Sequence, residues 1–265
     1  MPTQFKRYAF ATRRQSWTCT GCGHHVTPTA GTILEKSSTS LQLWFYAIYL
    51  MTSTRCGISA KQLERELGVK YCTAWRMFNK IRNHLMGDDG EPLSGAVEVD
   101  ETLIGGKIRN KDRRRRDKLG WSPKRWDDEH KTKVFAAVER DGRVRARVIP
   151  NSSGPTLRAA VREHVVPGSI VYTDEWGGYR TLDDEYEHRT IRHRDRIYVD
   201  GLTHTQTVEG FFGSAKNAIR GVYHGVSVRH LQGYLNEYAW RYNNRGDRNN
   251  MFRDLLRTAA TTTVR

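Results

Sequence analysis

Apolar residues recur at helical spacing in the first third of the chain. The stretch from Leu41 to Thr52 is mostly apolar and predicts a buried helix that begins after Ser40. A shorter helix follows, in which Ser59 and Gln62 predict a capping box and Gly68 predicts the end of the helix. After a tight turn, a longer helix repeats apolar residues at every third or fourth position: Ala74, Phe78, Ile81 and Leu85. A short helix, a glycine turn and a longer helix are typical of a helix-turn-helix motif.

The remaining surface of that longer helix is polar and basic. Lys70, Arg76 and Lys80 lie on it, and the spacing places Arg82 there as well. A basic face on the second helix of such a pair is a candidate DNA-binding surface, so Lys70, Arg76 and Lys80 are the candidate contacts. An ordinary helical hairpin with a solvated face is the alternative interpretation.

The period of the pattern changes after a linker rich in Gly, Pro and Asp, which runs from Met86 to Gly95. The strands predicted beyond it are 96–100, 133–139, 143–149, 169–173 and 187–191. The second and third of them are joined by Asp141-Gly142, which is a strong hairpin signal. A helix is predicted over 156–164.

The stretch from Thr203 to Gly221 predicts a helix with two different stripes. Thr203 and Gln206 are expected to form a capping box at its start. The apolar stripe consists of Val208, Phe212, Ala215 and Ile219. The neighbouring stripe consists of Glu209, Gly213, Lys216 and Arg220. Two more helices are predicted, one capped by Ser227 and one near 251–257.

Two of the predicted strands end in an aspartate, and this helix carries a glutamate. Ligands of open α/β sheets bind at strand ends, beside nearby helices, so Asp100, Asp174 and Glu209 are candidates to converge there. Carboxylates, water and phosphate oxygens are the ligands that Mg²⁺ prefers. Two such ions about 4 Å apart stabilise the attacking and the leaving oxygen of an in-line displacement. Glu98 and Glu101 flank Asp100 and compete for its role.

The charge of the chain narrows the class of partner. At 265 residues the formal net charge is +15 and the sequence pI is about 9.9, which favours a polyanionic partner, above all nucleic acid. A generically basic surface is the alternative. The mean hydropathy is −0.71, and neither a run of membrane-spanning length nor the apolar segment of a signal peptide is found. We therefore expect no membrane association and a cytoplasmic, nucleoid-associated location.

Cys19 and Cys22 form a C-x-x-C pair on a glycine turn, which is half of a zinc ribbon. A closed structural zinc site needs four ligands, and His24 and His25 are candidates for the others. Two interpretations remain open: Cys19 and Cys22 are zinc ligands, or the turn holds no metal. Residues 1–35 are otherwise expected to be loop-like.

Five motifs appear in a characteristic order: VEVDETLIGGK, KVFAAVERDGRVRARVI, VYTDEWGGY, HTQTVEGFFGSAKNAIRGVYHGVS and HLQGYLNEYAWRYNNR. With them the chain resembles the DDE transposases of bacterial insertion sequences, in the group whose ribonuclease-H-like catalytic domain follows a zinc ribbon and a helical DNA-binding segment. The similarity runs from Trp17 onward. Asp174 and Glu209 are 35 positions apart, a separation typical of the superfamily. Two features depart from the family pattern: only one C-x-x-C pair is present, and Gln206 stands where asparagine is expected.

The resemblance implies roles for individual residues. Asp100, Asp174 and Glu209 would be the ligands of two Mg²⁺ or Mn²⁺ ions, and Lys216 would contact DNA near the cleaved phosphate. Arg220, one turn further along the same stripe, is a candidate DNA contact. The implied reaction is hydrolysis at the element ends to free a 3′-hydroxyl, followed by strand transfer into target DNA. The implied partners are the terminal inverted repeats, target DNA and further copies of the chain.

The predicted fold class is α/β. A ribonuclease-H-like mixed sheet with flanking helices is expected over 91–265, after a helix-turn-helix-like domain over 36–90 and a partial zinc-ribbon segment over 1–35. We expect a late start codon or a truncation to account for the missing first C-x-x-C pair. Two alternative functions remain: a nuclease or resolvase with this fold, and an inactive or domesticated DNA-binding regulator.

Overall fold

The computed structural model describes most of the chain and divides it into two units. The described residues are 5–9, 15–19, 21–22, 25–87, 90–106, 131–195, 199, 203–247 and 250–262. The helical unit comprises Met1–Leu85 and Asn249–Arg265, and the sheet unit comprises Met86–Arg248. The predicted start of the catalytic domain at residue 91 lies close to this division.

The helical unit begins with a small antiparallel sheet in the order β1-β2-β3. Its strands are β1 Phe5–Ala9, β2 Gln15–Cys19 and β3 His25–Val26. The expectation of a loop-like segment is wrong for these residues, because the short β-hairpin satisfies the backbone hydrogen bonds that a loop leaves to water. Cys22 is exposed, and the side chain of Cys19 lies outside the described part, so the zinc ribbon stays a prediction.

Three helices follow: α1 Leu41–Ser53, α2 Ala60–Leu67 and α3 Tyr71–Lys80. Helix α1 begins after Ser40 as predicted, and the Ser59 half of the predicted Ser59–Gln62 capping box is present. The hydroxyl of Ser40 accepts a hydrogen bond from the Leu43 N–H at 3.4 Å, and that of Ser59 accepts one from the Gln62 N–H at 3.1 Å. Gly68 ends α2 in the left-handed conformation, with φ of 62°.

Helix α3 continues into a π-helical turn over Ile81–Leu85. Its predicted apolar positions are buried as expected: Ala74, Phe78, Ile81 and Leu85. The prediction that Arg82 lies on the basic surface is wrong, since its side chain is fully buried and its guanidinium carbon lies 3.5 Å from the centroid of the Phe78 ring. Arg82 follows the buried Phe78 by four positions, and residues at this spacing share one face of a helix, so its side chain packs over the Phe78 ring instead of facing solvent.

The last helix, α7 Met251–Thr261, belongs to the helical unit and packs against α1. The hydrophobic pattern predicted this helix as part of the 91–265 domain. Its buried residues are Met251, Leu255 and Ala259, and the ring of its Phe252 meets that of Tyr49 edge to face at 5.7 Å. The apolar stripe of α7 thus needs a partner, and α1 supplies one.

The sheet unit is built on five strands in the order β6-β5-β4-β7-β8. They are β4 Ala96–Ile104, β5 Thr132–Glu139, β6 Val144–Ile149, β7 Ile170–Thr173 and β8 Glu187–Thr190. The first three along the chain pair antiparallel, whereas β7 and β8 run parallel to β4. Asp141, at the predicted hairpin turn, has a φ of 59°. This mixed sheet with flanking helices fits a ribonuclease-H-like domain, as the sequence predicted.

Helices cover both faces of this sheet: α4 Gly154–His164, α5 Gln206–Gly221 and α6 Val228–Asn243. One apolar cluster joins α5 and α6 to Val134, Ala136 and Val138, and a second joins α4 to Val97, Val99 and Phe135. Successive strand residues point to opposite faces. Strand β4 therefore turns Glu98, Asp100 and Thr102 toward α5.

The predicted start of α5 differs from the structure. The helix begins at Gln206, and the capping residue Thr205 makes no side-chain cap hydrogen bond. The Thr203–Gln206 capping box is therefore wrong. A carboxylate from β4 receives the first N–H groups of the helix instead, as described below. Within the described part of the chain, no helix is long and apolar enough to cross a membrane.

Candidate active site

Asp100 and Asp174 lie at the same level of two neighbouring parallel strands. In the ladder between β4 and β7, Glu98 pairs with Tyr172, and each aspartate follows two residues after its member of that pair. A carboxylate oxygen of Asp100 accepts a hydrogen bond from the Glu101 N–H at 2.8 Å, and one of Asp174 accepts a bond from the Trp176 N–H at 3.0 Å. The sheet thus brings together two of the residues that the sequence singled out.

The negative charge of Glu209 acts on Asp100 together with that of Asp174. Burial raises the pKa of Asp100 to about 8, and the negative charges of Asp174, Glu101 and Glu209 add to this rise. Glu209 lies in the first turn of α5, with an exposed side chain that accepts a hydrogen bond from the Thr205 hydroxyl at 2.9 Å. Among the described residues, no three His, Cys, Asp or Glu side chains are already arranged to hold a metal ion.

Lys216 lies two turns further along α5. Its ammonium group donates a hydrogen bond to the hydroxyl of Thr102, which is two residues from Asp100 on the same face of β4. Burial lowers the pKa of Lys216, and the neighbouring charge of Arg220 lowers it further. The basic side chains of α5 therefore begin next to the carboxylates and continue toward the end of the helix.

A cavity of about 190 Å³ opens beside these basic side chains. Lys216, Arg220 and His224 line it on one side, and Gly105 and Gly106 line it where β4 ends. The described lining residues include no acidic side chain. Such a basic cleft suits an anionic ligand such as a phosphate group.

Glu101 lies on the other face of β4. It accepts a hydrogen bond from the hydroxyl of Tyr179, a residue of the apolar cluster around α4. Burial raises the pKa of Glu101 and holds the pKa of Tyr179 well above its usual value. Glu101 is therefore engaged by a buried tyrosine, unlike Asp100.

Glu98 is a functional candidate whose contacts the sequence did not reveal. It is fully buried, and its carboxylate accepts hydrogen bonds from the N–H groups of Thr207 and Val208 at 2.7 and 3.2 Å. The guanidinium of Arg140 donates to it at 2.9 Å, and His204 Nδ1 lies 3.1 Å from it. One signal was present in the sequence: Glu98 precedes Asp100 by two positions and so shares its face of the strand.

The predicted DNA contacts of α3 and its preceding turn belong to the helical unit. Lys70 and Arg76 are exposed, and Arg76 donates a hydrogen bond to the Thr39 hydroxyl at 3.1 Å. The ammonium group of Lys80 donates to the backbone carbonyl of Ile33 at 3.0 Å. Lys70 and Arg76 thus present their charge at the surface, whereas Lys80 also holds the segment before α1.

Comparison with known proteins identifies the family. Residues 92–243 match the model of the ISXO2-like transposase domain. The chain is similar to an uncharacterized protein in transposable element ISH50 of Halobacterium salinarum, with 30% identity over 235 residues, which cover 86% of this chain and 78% of the relative. It is also similar to an uncharacterized transposase-like protein of Haemophilus influenzae, with 35% identity over 98 residues, which cover 37% of this chain and 78% of the relative.

The matched family region spans the five strands of the sheet unit as well as α4, α5 and α6. It therefore includes each of the carboxylates described above. Proteins of this kind bind DNA and process it. The chain belongs to the ISXO2-like transposases, a family of insertion-sequence transposases.

Proposed function

We propose that the chain cuts the ends of an insertion sequence and joins them to target DNA by a metal-dependent carboxylate mechanism. Asp100, Asp174 and Glu209 are the proposed metal ligands. The observation that carries this proposal is the placement of Asp100 and Asp174 at the same level of the neighbouring strands β4 and β7, with Glu209 in the first turn of α5. The pKa of Asp100, which burial and the charges of the other carboxylates raise to about 8, supports it. Enzymes concentrate such perturbed groups at their reactive sites.

The donor set fits Mg²⁺ or Mn²⁺. All three side chains offer hard carboxylate oxygens, which these ions prefer, and their mutual repulsion falls when a divalent cation shares their charge. Two bound ions would supply Lewis-acid stabilisation of the attacking and the leaving oxygen. Glu209 lies in the first turn of α5, where one of its carboxylate oxygens accepts a hydrogen bond from the Thr205 hydroxyl at 2.9 Å, and its negative charge acts on Asp100.

Lys216 and Arg220 are the proposed contacts to the DNA backbone beside the cleaved bond. Lys216 bonds to Thr102 on the strand that carries Asp100, so a phosphate bound by its ammonium group would lie close to the carboxylates. The basic cavity that both residues line offers room for such an anion. Ammonium and guanidinium groups hold phosphate oxygens through charge-assisted hydrogen bonds.

The helical unit is the proposed reader of the terminal inverted repeats. Helices α2 and α3 are joined at Gly68 in the order of a helix-turn-helix motif, and Lys70 and Arg76 are exposed at the second helix. Lys80 is the third proposed contact; its ammonium group also donates a hydrogen bond to the backbone carbonyl of Ile33. Strand transfer requires paired ends, so we propose that two or more copies act together on DNA. Cys19 and Cys22 remain candidate zinc ligands.

The proposal is tested with oligonucleotides that carry the element end. The wild-type chain with Mg²⁺ should release a 3′-hydroxyl at the end and join it to a target plasmid. Asp100→Asn should abolish both steps while a gel-shift assay shows unchanged binding of the end. Asp184→Asn, on an exposed side chain, is the control and should behave like the wild type.

Three outcomes would oppose the proposal. Undiminished cleavage by Asp100→Asn would remove the assigned role of this carboxylate. Cleavage without joining would favour a nuclease or resolvase. DNA binding with no metal-dependent cleavage by the wild type would favour a regulator.

A further inference from the structure

The carboxylates assigned above come from three separate elements: Asp100 lies within β4, Asp174 directly follows β7, and Glu209 lies on α5. Such ligands must be held in a fixed relative position to bind a metal pair well. We propose that the buried ion pair of Glu98 and Arg140 is a positioning unit that joins these three elements. This inference rests on the function proposed above.

The first connection runs from β4 to α5. Glu98 accepts the N–H groups of Thr207 and Val208 and also the hydroxyl of Thr207 at 2.9 Å. A carboxylate is favourable at a helix N-terminus, where N–H groups have no partner within the helix. Thr205 makes no side-chain cap hydrogen bond, so the strand supplies the cap. The next residue after Val208 is Glu209.

The second connection runs from β4 to β7. Arg140 Nε donates to Glu98 at 2.9 Å, and the guanidinium carbon lies 3.9 Å from the centroid of the Tyr172 ring. Tyr172 is the ladder partner of Glu98 and precedes Asp174 by two residues. Glu98 and Tyr172 therefore stand two residues before Asp100 and Asp174, respectively, at paired positions of the two strands.

The third connection fixes the approach to α5. Arg140 Nη2 donates to the backbone carbonyl of His204 at 3.1 Å, and the Arg140 N–H donates to the Ala96 carbonyl at 3.0 Å. Arg140 thus binds the start of β4 and the residue before the cap of α5. Glu98 and Arg140 together therefore contact all three elements that carry a proposed ligand. On α5 and β7 these contacts lie within two residues of Glu209 and Asp174.

A second buried ion pair in the same unit provides a matched control. Glu237 of α6 is also fully buried, and Arg241 donates to it at 2.8 Å. Glu237 also accepts a hydrogen bond from the hydroxyl of Tyr223, beyond the end of α5, at 3.3 Å. Breaking this pair should destabilise the fold as much as breaking the first pair, but it leaves the N-terminus of α5 untouched.

The experiment compares the full-length variants Glu98→Gln and Glu237→Gln. Glutamine keeps the size of the side chain, but its amide group donates where the carboxylate accepted. We expect the Mn²⁺ affinity of Glu98→Gln, measured by electron paramagnetic resonance, to fall about 10-fold or more. Backbone hydrogen exchange should also become faster over residues 206–209. Glu237→Gln should change neither quantity.

A milder variant covers the case in which Glu98→Gln does not fold. Thr207→Val removes the hydroxyl bond and leaves the ion pair intact, so its exchange over residues 206–209 should be faster than that of the wild type. Unchanged exchange over these residues in every variant that folds, or an equal loss of Mn²⁺ affinity in Glu237→Gln, would overturn the inference. If the wild type binds no Mn²⁺, the proposed metal-dependent function fails, and the exchange experiment still tests the structural connection.

Discussion

The hydroxyl of Tyr179 donates a hydrogen bond to Glu101, on the face of β4 turned away from α5. Two adjacent carboxylates of one strand thus meet different surroundings. Asp100 faces the other carboxylates, whereas Glu101 is held by a buried phenol. The alternation of side chains across a strand therefore separates the proposed ligand from its neighbour in sequence.

Removal of that phenol should destabilise the sheet unit. In Tyr179→Phe the partly buried carboxylate of Glu101 loses its donor, and we expect the free energy of unfolding to fall by about 1.5–3 kcal/mol. Urea denaturation measures this change. Tyr186→Phe is the matched control, because its hydroxyl donates to a neutral carbonyl, that of Val165, at 3.2 Å. A smaller loss, of about 1 kcal/mol, is expected for the control, and equal losses would contradict a special role for the charged acceptor.

The raised pKa of Asp100 predicts a pH-dependent stability. Burial and the charge of Asp174 raise this pKa to about 8, while an unfolded aspartate has a pKa near 4. Between these values the folded protein binds a proton that the unfolded chain does not, so the free energy of unfolding falls as pH rises through this window.

Asp100→Asn should remove this dependence. In the presence of a chelator we expect the variant to exceed the wild type in stability by about 1–3 kcal/mol near pH 8.5 and to match it near pH 4. Thermal or urea unfolding at the two pH values provides the measurement. A difference that does not change with pH would show that the effect comes from something other than the proton on Asp100.

Lys216→Gln should weaken DNA binding in a salt-dependent way. The loss of one phosphate contact lowers the slope of log affinity against log salt by about 1. Fluorescence anisotropy with a labelled element end, over a range of salt concentrations, measures the slope. Arg147→Gln is the control, because Arg147 pairs with Glu163 of α4 on the opposite face of the sheet. The assignment of Lys216 is contradicted if both variants keep the wild-type slope.

Gly213 lies on the exposed stripe of α5, between Glu209 and Lys216. An added Cβ would meet no atom of the protein within 4 Å, and glycine inside a helix is less stable than alanine by about 0.5–1 kcal/mol. Gly213→Ala should therefore stabilise the protein by this amount. If DNA lies against this stripe, the same methyl group should slow end cleavage.

The neighbouring variant Ser214→Ala separates the two effects, because Ser214 is exposed but lies off the stripe. Differential scanning calorimetry and the cleavage assay should show higher stability with lower activity for Gly213→Ala alone. Normal cleavage by Gly213→Ala would mean that DNA does not approach the helix at this position.

The strands, the sheet-unit helices and the positions of the carboxylates could largely be predicted from sequence. Alternation and helical spacing are local signals, and the apolar strand segments that precede Asp100 and Asp174 must pair in the core. The sequence predicted that both strands end at the aspartate, but β4 continues past Asp100 to Ile104. The contacts of Arg140 were beyond such reasoning, because they link residues from different parts of the chain. Arg82 was misplaced because a charged side chain is expected at the surface, although its spacing of four positions from Phe78 places it on the buried side of the helix.

The cap of α5 also could not be predicted from local sequence. A capping box is a local motif, and the sequence offered one at Thr203 and Gln206. The structure uses Glu98 instead, which is more than a hundred positions away. Tertiary contacts of this kind override local preferences because the carboxylate is buried and must find donors.

Because α7 completes the helical unit, the sheet unit is an insertion within it. During synthesis the sheet unit emerges whole from the ribosome before the last piece of the helical unit does, and domains fold as units as they emerge. A frameshift or stop codon shortly after Asp247 would therefore spare every carboxylate discussed above. It would instead expose the apolar surface of α1 that α7 covers. Damage at the C-terminus would therefore destabilise the helical unit, most of which lies near the other end of the sequence.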